Sequence, residues 1–114
     1  MDAVSLTFIP HSGPVDGLYC DDNHMVFKWV RGEVYASLCR RGDAVSAHLA
    51  CGASSLRVLK EAINEFCEYA FWLFDWCKMI LAQVTRPSVG RVVLKCGFYP
   101  VGVADNVTIY ARPK

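Results

Sequence analysis

The sequence predicts an α+β fold built on a mixed, mostly antiparallel sheet. Three features carry this prediction: a succession of three short strand patterns, one long amphipathic helix pattern, and a shorter helix pattern followed by two more strands. Tight turns join antiparallel neighbours, whereas a strand, a helix and a strand in succession give a parallel pair. A chain of 114 residues suits one domain, 1–114.

The first part of the chain predicts strands. Apolar residues alternate with small or polar ones from Val4 to Phe8, which indicates a half-buried strand that Pro10 ends. A loop containing Pro and Gly follows. Three further strands form a predicted β-meander at 24–30, 33–39 and 44–51, with turns at Arg31-Gly32 and Arg41-Gly42-Asp43.

The pattern then changes to helices. Apolar residues at steps of three and four indicate an amphipathic helix that begins at Ser54 or Ser55 and ends by about Cys77. The apolar run CKMILAQV predicts a buried strand. A short helix follows, with Pro87 in its first turn and Gly97 as its stop, and the runs FYPVGV and VTIYARP predict a terminal hairpin.

The composition argues against several classes of protein. A net charge of +1 disfavours general nucleic-acid binding, which needs a basic surplus. No apolar run reaches the roughly 18 residues of a membrane helix, and the N-terminus MDAVSLTFIP lacks the basic region of a signal peptide. We therefore expect a cytoplasmic protein that binds neither nucleic acid nor membrane.

The six cysteines show no C-x-x-C spacing. An even number permits three disulfides, but the absence of a secretory signal favours reduced thiols in an intracellular protein. A zinc site that includes His11, His24 or His48 is disfavoured, because no pair of ligands has the close spacing of such sites. No metal is expected.

Two motifs carry a resemblance to a known family. Lys95-Cys96-Gly97-Phe98 ends the short helix, and the segment LACGASS precedes the long one. Together with the order of elements from His24 to the end, they resemble the GNAT family of acetyl-CoA-dependent N-acetyltransferases, in a minimal version similar to small bacteriophage-encoded GNAT-like proteins. In that family Lys-x-Gly-Phe ends the second helix, and backbone amides of the loop bind the coenzyme A pyrophosphate.

The resemblance implies acetyl-CoA as the cofactor and a set of residues that bind it. Gly52 matches the central glycine of the family's loop signature, whereas Leu49 stands in place of a Gln or Arg and Ser54 in place of the last small residue. An ordinary helix cap without a ligand is the alternative interpretation. The implied cofactor-binding residues are Cys51, Gly52, Ala53, Ser54, Ser55, Arg57, Arg86 and Lys95.

Acetyl transfer to an amine needs a base for the ammonium proton. His48, on the strand just before the loop, is the candidate base, with a purely structural histidine as the alternative. The family's general acid is a tyrosine of the second helix, but Val93 stands at that position, and Arg86 stands where an Asn is usual. Tyr99 and Tyr110 are the candidate catalytic replacements, unless they are rim aromatics.

The resemblance implies a minimal N-acetyltransferase with an unknown amine acceptor. The segment between the first two strands is too short for the two helices that usually form the acceptor wall, so that side is open, supplied by a partner subunit, or absent. Trp72 and Trp76, four residues apart on the predicted helix, indicate a homodimer or a protein partner. The alternatives are a catalytically inactive GNAT-like interaction or virion-associated phage protein, in the host cytoplasm or the virion, and an unrelated regulatory α+β domain.

Overall fold

The structure, a computed structural model, describes residues 7–13, 15, 18, 24–52 and 57–114. These residues form seven strands and two helices. The helices are α1 (Leu59–Leu73) and α2 (Pro87–Lys95). The strands are β1 (Phe8–Pro10), β2 (Met25–Trp29), β3 (Val34–Arg41), β4 (Ala44–Cys51), β5 (Met79–Val84), β6 (Tyr99–Ala104) and β7 (Val107–Pro113).

All seven strands lie in one sheet of order β1-β2-β3-β4-β5-β7-β6. The pair β4–β5 is parallel and every other neighbouring pair is antiparallel. The predicted α+β class, the meander β2–β3–β4 and the parallel crossover through α1 are therefore confirmed. Residues 1–6 lie outside the described residues, so the predicted strand from Val4 is seen from Phe8 onward.

Both helices cover the same face of the sheet. The Arg112 guanidinium on β7 donates to Asn64 Oδ1 on α1, and Arg112 is paired with the buried Ile80 of β5. Tyr110, two residues before Arg112, lies against Gly90 of α2. We call this the helix-covered face, and it holds a core that includes Phe66 and Ile63. Alternate side chains point to the opposite side, which we call the second face.

The long helix is shorter than its apolar pattern predicts. Helical backbone includes a 3₁₀ turn at 57–58, and α1 begins at Leu59 after Val58, whose side chain makes no cap bond. The predicted caps at 54 and 55 lie outside the described residues. At the other end Phe74 adopts an extended conformation (φ −115°, ψ 94°), so the helix ends at Leu73.

This early end corrects the prediction that one helix carries both Trp72 and Trp76. Trp72 remains on α1, where it is 47% exposed and lies 6.0 Å from the Tyr69 ring. Trp76 lies in the following turn, packed against the Phe74 ring and under the Arg40 guanidinium at 3.8 Å. The two indoles therefore have separate surroundings, and a protein contact through this end stays a prediction.

The predicted second helix and terminal hairpin are confirmed. Pro87 begins α2, and Gly97 follows its end with φ +86°, a value that favours glycine. Asp105 and Asn106 join β6 to β7 with φ of 50° and 68°, as a two-residue hairpin turn requires. All six residues of β6 are exposed, and its register with β7 is interrupted by an irregularity between Pro100 and Gly102.

A polar cluster fixes the β2–β3 turn to α1. The indole Nε1 of the buried Trp29 donates to Glu65 Oε1 at 3.0 Å. Arg31 lies over the Trp29 ring, 5.0 Å from its centroid, and forms ion pairs with Glu61 and Glu65. The exposed ion pairs add little stability, so the buried indole and its bond provide most of the attachment.

Five cysteines lie within the described residues, and all five are free. This agrees with the predicted reduced thiols; Cys20 lies outside the described residues. Within the described part of the chain, no helix is long and apolar enough to cross a membrane.

Candidate active site

The parallel strands β4 and β5 separate towards their C-terminal ends. Their register runs from Ala44 opposite Met79 to Ala47 opposite Ala82 and then ends. β4 continues to Cys51 and β5 to Val84. Beyond Ala47, β4 therefore has β3 on one side and, among the described strands, no neighbour on the other. The gap offers the backbone edges of two strands to an extended ligand.

Two polar side chains flank the point of separation on the second face. His48 follows Ala47 and lies opposite Ser37 of β3. Gln83 follows Ala82, and its amide Nε2 donates to Ser46 Oγ at 3.4 Å across the β4–β5 pair. His48 is thus positioned at the start of the gap by the strand register itself. Gln83 was not identified from the sequence, because a lone Gln in an apolar strand carries no motif.

A cavity of about 360 Å³ opens on the second face beside this point. His48 contributes to its wall together with His24, which precedes β2. Partial burial lowers the pKa of His48 below its usual value, and the neighbouring charge of His24 lowers it further. A neutral imidazole that faces a cavity at the strand separation has the properties of a general base at neutral pH.

The predicted phosphate loop is only partly described, and its glycine has a different role. The Gly52 amide donates to the Glu33 carbonyl oxygen at 3.0 Å, and Cys51 is paired with Val34, so both continue the β3–β4 ladder. Gly52 is therefore not a free amide donor, which corrects the prediction for this residue. The remaining predicted donors, Ala53, Ser54 and Ser55, lie outside the described residues.

Two of the three predicted cationic contacts lie at the same edge of the sheet. Arg57 precedes α1 and Arg86 precedes α2, and both are exposed. Because α1 follows β4 and α2 follows the parallel β5, both helices begin at the edge where the strands separate. Lys95 lies in the last turn of α2, roughly 13 Å along the helix axis from Arg86. The structure therefore does not bring Lys95 to this edge, and its contact with the coenzyme stays a prediction.

Tyr110 occupies the helix-covered face next to the end of β5. It lies opposite Ala82, and its hydroxyl is 2.8 Å from the position that a Cβ on Gly90 would take. A cavity of about 410 Å³ lies here, and its wall includes Tyr110, Arg86 and Arg91. Arg91 was missed by the sequence interpretation, because its position on α2 relative to Tyr110 depends on long-range packing.

The other candidate acids do not join this arrangement. Val93, at the position of the family's tyrosine, is fully buried. Tyr99 lies opposite Ala111 on the edge strand β6 and is 46% exposed. Three strand spacings, roughly 14 Å, separate β6 from β4. Tyr99 and His48 are therefore not brought together, and Tyr110 approaches from the opposite face.

Comparison with solved structures identifies the fold. An acetyltransferase from Bacillus subtilis in complex with CoA superposes with a TM-score of 0.71 at 13% identity, over 94% of this chain and 97% of that one. A spermidine N-acetyltransferase SpeG mutant from Vibrio cholerae gives 0.65 at 13% identity, over 82% of this chain and 67% of that one. AAC(6')-Ib in complex with ribostamycin and coenzyme A gives 0.67 at 13% identity, over 82% and 65%.

The comparisons of sequence give a different result from those of structure. No protein-family model matches the sequence, and no curated protein matches it. At 13% identity the structural similarity establishes the fold alone. The chain has the fold of the GNAT N-acetyltransferases.

Proposed function

We propose that this protein is an N-acetyltransferase that transfers the acetyl group of acetyl-CoA to an amine. The observation that carries the proposal is the separation of β4 and β5 beyond Ala47 and Ala82, with His48 at its start. The free strand edges suit the amide groups of an extended coenzyme arm. Coenzyme A is present in the similar B. subtilis protein, which supports the same ligand here.

The phosphates of the coenzyme would lie where α1 and α2 begin. A helix N-terminus carries partial positive charge and unpaired amides, and two such termini lie at one edge of the sheet. Arg57 and Arg86 add two exposed guanidinium groups there. A pyrophosphate at this edge would place the thioester in the gap between the strands, within reach of the second face.

His48 would act as the base of the transfer. Its neutral imidazole takes a proton from the acceptor ammonium, and the free amine attacks the thioester carbonyl carbon. A carbon–nitrogen bond forms and the carbon–sulfur bond breaks, while the attacking nitrogen gives its second proton to solvent, which releases the amide and the coenzyme A thiolate. The Tyr110 hydroxyl, on the helix-covered face, is the candidate proton donor to the thiolate. The carbonyl oxygen would be stabilised by a backbone amide at the gap.

A binding measurement and a product measurement test this function. Calorimetric titration with acetyl-CoA should show saturable binding, and mass spectrometry should find an acetylated amine. Arg57→Ala and Arg86→Ala should each weaken binding by about 1 kcal/mol, the contribution of one charge-assisted bond. Lys95→Ala is the matched control, since it removes the same charge from the far end of α2. No binding at millimolar acetyl-CoA would refute the proposal.

The second candidate function is a GNAT-like interaction protein without catalysis. The fully buried Val93 favours it, because a core valine cannot donate the proton that the family's tyrosine supplies. Leu49, in place of the Gln or Arg of the loop signature, points the same way. Binding of coenzyme A without any acetylated product would support this alternative. The phage-type origin and the cytoplasmic location stay predictions.

A further inference from the structure

The cavity of the second face has a distinctive charge. Its described wall contains one guanidinium, from Arg41, and two imidazoles, from His24 and His48. The other described side chains of the wall are neutral, and none of them is a carboxylate: Ser37, Cys39, Ser46 and Gln83. An acceptor that enters this part of the cavity therefore meets cationic and neutral polar groups.

Arg41 and Arg40 have different surroundings although they are neighbours on β3. Arg40 donates to the Gly42 carbonyl oxygen at 2.9 Å and stacks over Trp76. The Arg41 guanidinium, on the opposite face, forms no hydrogen bond or ion pair with the described part of the chain. A guanidinium without an internal anion at the wall of a cavity is suited to bind a carboxylate or phosphate of a ligand.

The strand register sets the distance between this guanidinium and the base. Ser37 lies opposite His48, and Arg41 lies opposite Ala44. Ser37 and Arg41 share the second face and are four residues apart, so roughly 13 Å of strand separates their Cα positions. Both side chains reach into the cavity. A ligand that contacts both ends needs several bonds between its amine and its anion.

We propose that the acetyl acceptor is an amine that also carries an anionic group, with the amine at His48 and the anion at Arg41. This inference rests on the proposed function. It predicts selection against polycations, which would bring a second ammonium towards Arg41. Two of the structurally similar proteins are named for, or hold, polyamine or aminoglycoside ligands, spermidine and ribostamycin. The selectivity expected here is the opposite.

Amines of one chain length test the acceptor class. The set is 5-aminopentanoate, 5-aminopentyl phosphate, 1-aminopentane and 1,5-diaminopentane, with acetylated product measured by mass spectrometry. We expect kcat/KM for the better of the two anionic amines to exceed that for 1-aminopentane at least tenfold, and the diamine to be poorest. Whichever of the two anionic amines is preferred identifies the anion as carboxylate or phosphate. A preference for the diamine would overturn the inference.

Variants assign the selectivity to Arg41. Arg41→Ala should lower kcat/KM for the anionic amine at least tenfold, chiefly through KM. Arg40→Ala is the control, since it removes the same charge from the other face of the same strand, and it should preserve the selectivity. Equal losses in both variants, at equal thermal stability, would show that net charge and not this cavity is responsible.

A binding measurement without acetyl-CoA separates the inference from the proposed function. The imidazole proton resonances of His24 and His48, assigned with His24→Gln and His48→Gln, should shift on titration with the two anionic amines and not with the diamine. Such shifts in a protein that binds no acetyl-CoA would retain the ligand class and refute the acetyltransferase. If acetyl-CoA binds but the imidazole resonances do not shift and anionic amines are not preferred, the acetyltransferase function would be retained and the ligand class refuted.

Discussion

The side chain of Glu33 lies over Gly52, and its Oε2 atom is 2.6 Å from the position that a Cβ on Gly52 would occupy. The same two residues are joined through their backbones, since the Gly52 amide donates to the Glu33 carbonyl oxygen. Gly52 is not among the glycines with positive φ. Its glycine identity is therefore explained by close approach of a side chain and not by backbone conformation.

Gly52→Ala should destabilise the protein by about 1 kcal/mol, because the new methyl group displaces the Glu33 carboxylate. In a Glu33→Ala background the clash is absent. There Gly52→Ala should leave the stability unchanged or raise it by up to about 1 kcal/mol, because alanine lowers the conformational entropy of the unfolded chain. Urea denaturation of the four proteins gives the coupling energy. Since the Gly52 amide is already bonded, the double variant should still bind acetyl-CoA. Loss of binding in that stable double variant would restore Gly52 to the phosphate loop.

Gly90 and Tyr110 form a similar pair between α2 and β7. A methyl group on Gly90 would lie 2.8 Å from the Tyr110 hydroxyl and 3.6 Å from the ring carbon that bears it. Replacing glycine by alanine in a helix normally stabilises it by about 1 kcal/mol. In Gly90→Ala the clash with Tyr110 should cancel this gain. In the Tyr110→Phe protein the same substitution should recover most of that gain, measured by thermal denaturation. Equal effects in both backgrounds would contradict the contact.

The low pKa of His48 predicts the shape of the pH profile. A base must be neutral, so kcat/KM should fall as the pH decreases through a value below 6.5, where the folded imidazole becomes protonated. His24→Gln removes the neighbouring charge and should move this limb upward, which proton NMR of His48 checks directly. As the pH falls, His48 is protonated in the unfolded state before it is protonated in the folded state, because its pKa is lower in the folded protein. The neutral His48 therefore contributes fully to folding stability above pH 6.5, and this contribution is lost as the pH falls below that value. If the acidic limb of the kcat/KM profile and the NMR titration of His48 are both unchanged in His24→Gln, then His24 does not contribute to the low pKa of His48.

Burial should order the cysteines by reactivity. It raises the pKa of the Cys67 thiol to about 12 and also raises the pKa values of Cys77 and Cys96. Because the thiolate is the reactive form, N-ethylmaleimide should label the half-buried Cys39 and Cys51 before these three in the native protein. The three buried thiols should react only on unfolding, and peptide mass spectrometry locates each label. Under non-reducing denaturation all six cysteines should react.

The sequence was sufficient for the architecture because local signals agree with one another. Turn residues at Gly42 and at Asp105-Asn106, the proline that begins α2 and the glycine that follows it each act within a few residues. The parallel pairing of β4 with β5 follows from the crossover through α1, which the order of patterns already contains. Signals of this kind depend little on distant parts of the chain.

The parts that the sequence did not predict depend on distant contacts or on ambiguous patterns. The run FWLFDW is apolar except for Asp75, so its periodicity could not locate the end of α1 at Leu73. The bond of the Gly52 amide to Glu33 joins residues 19 positions apart, and only the register shows that the amide is occupied. The cavity around His48 and Arg41 assembles side chains of β3, β4 and β5 with His24, which precedes β2, and no short motif contains them.

The exposed strand β6 has a consequence for the behaviour of the protein in concentrated solution. Its residues Tyr99–Ala104 carry no charge, and Val103 is 74% exposed, so the strand has the composition of a site for edge-to-edge aggregation. Pro100 has no N–H to donate, and the irregularity before Gly102 interrupts the regular spacing of the ladder. A neighbouring molecule would find no continuous template along this edge. Protection of this edge against aggregation therefore relies on a proline and a bulge, whereas other proteins place a lysine on such a strand.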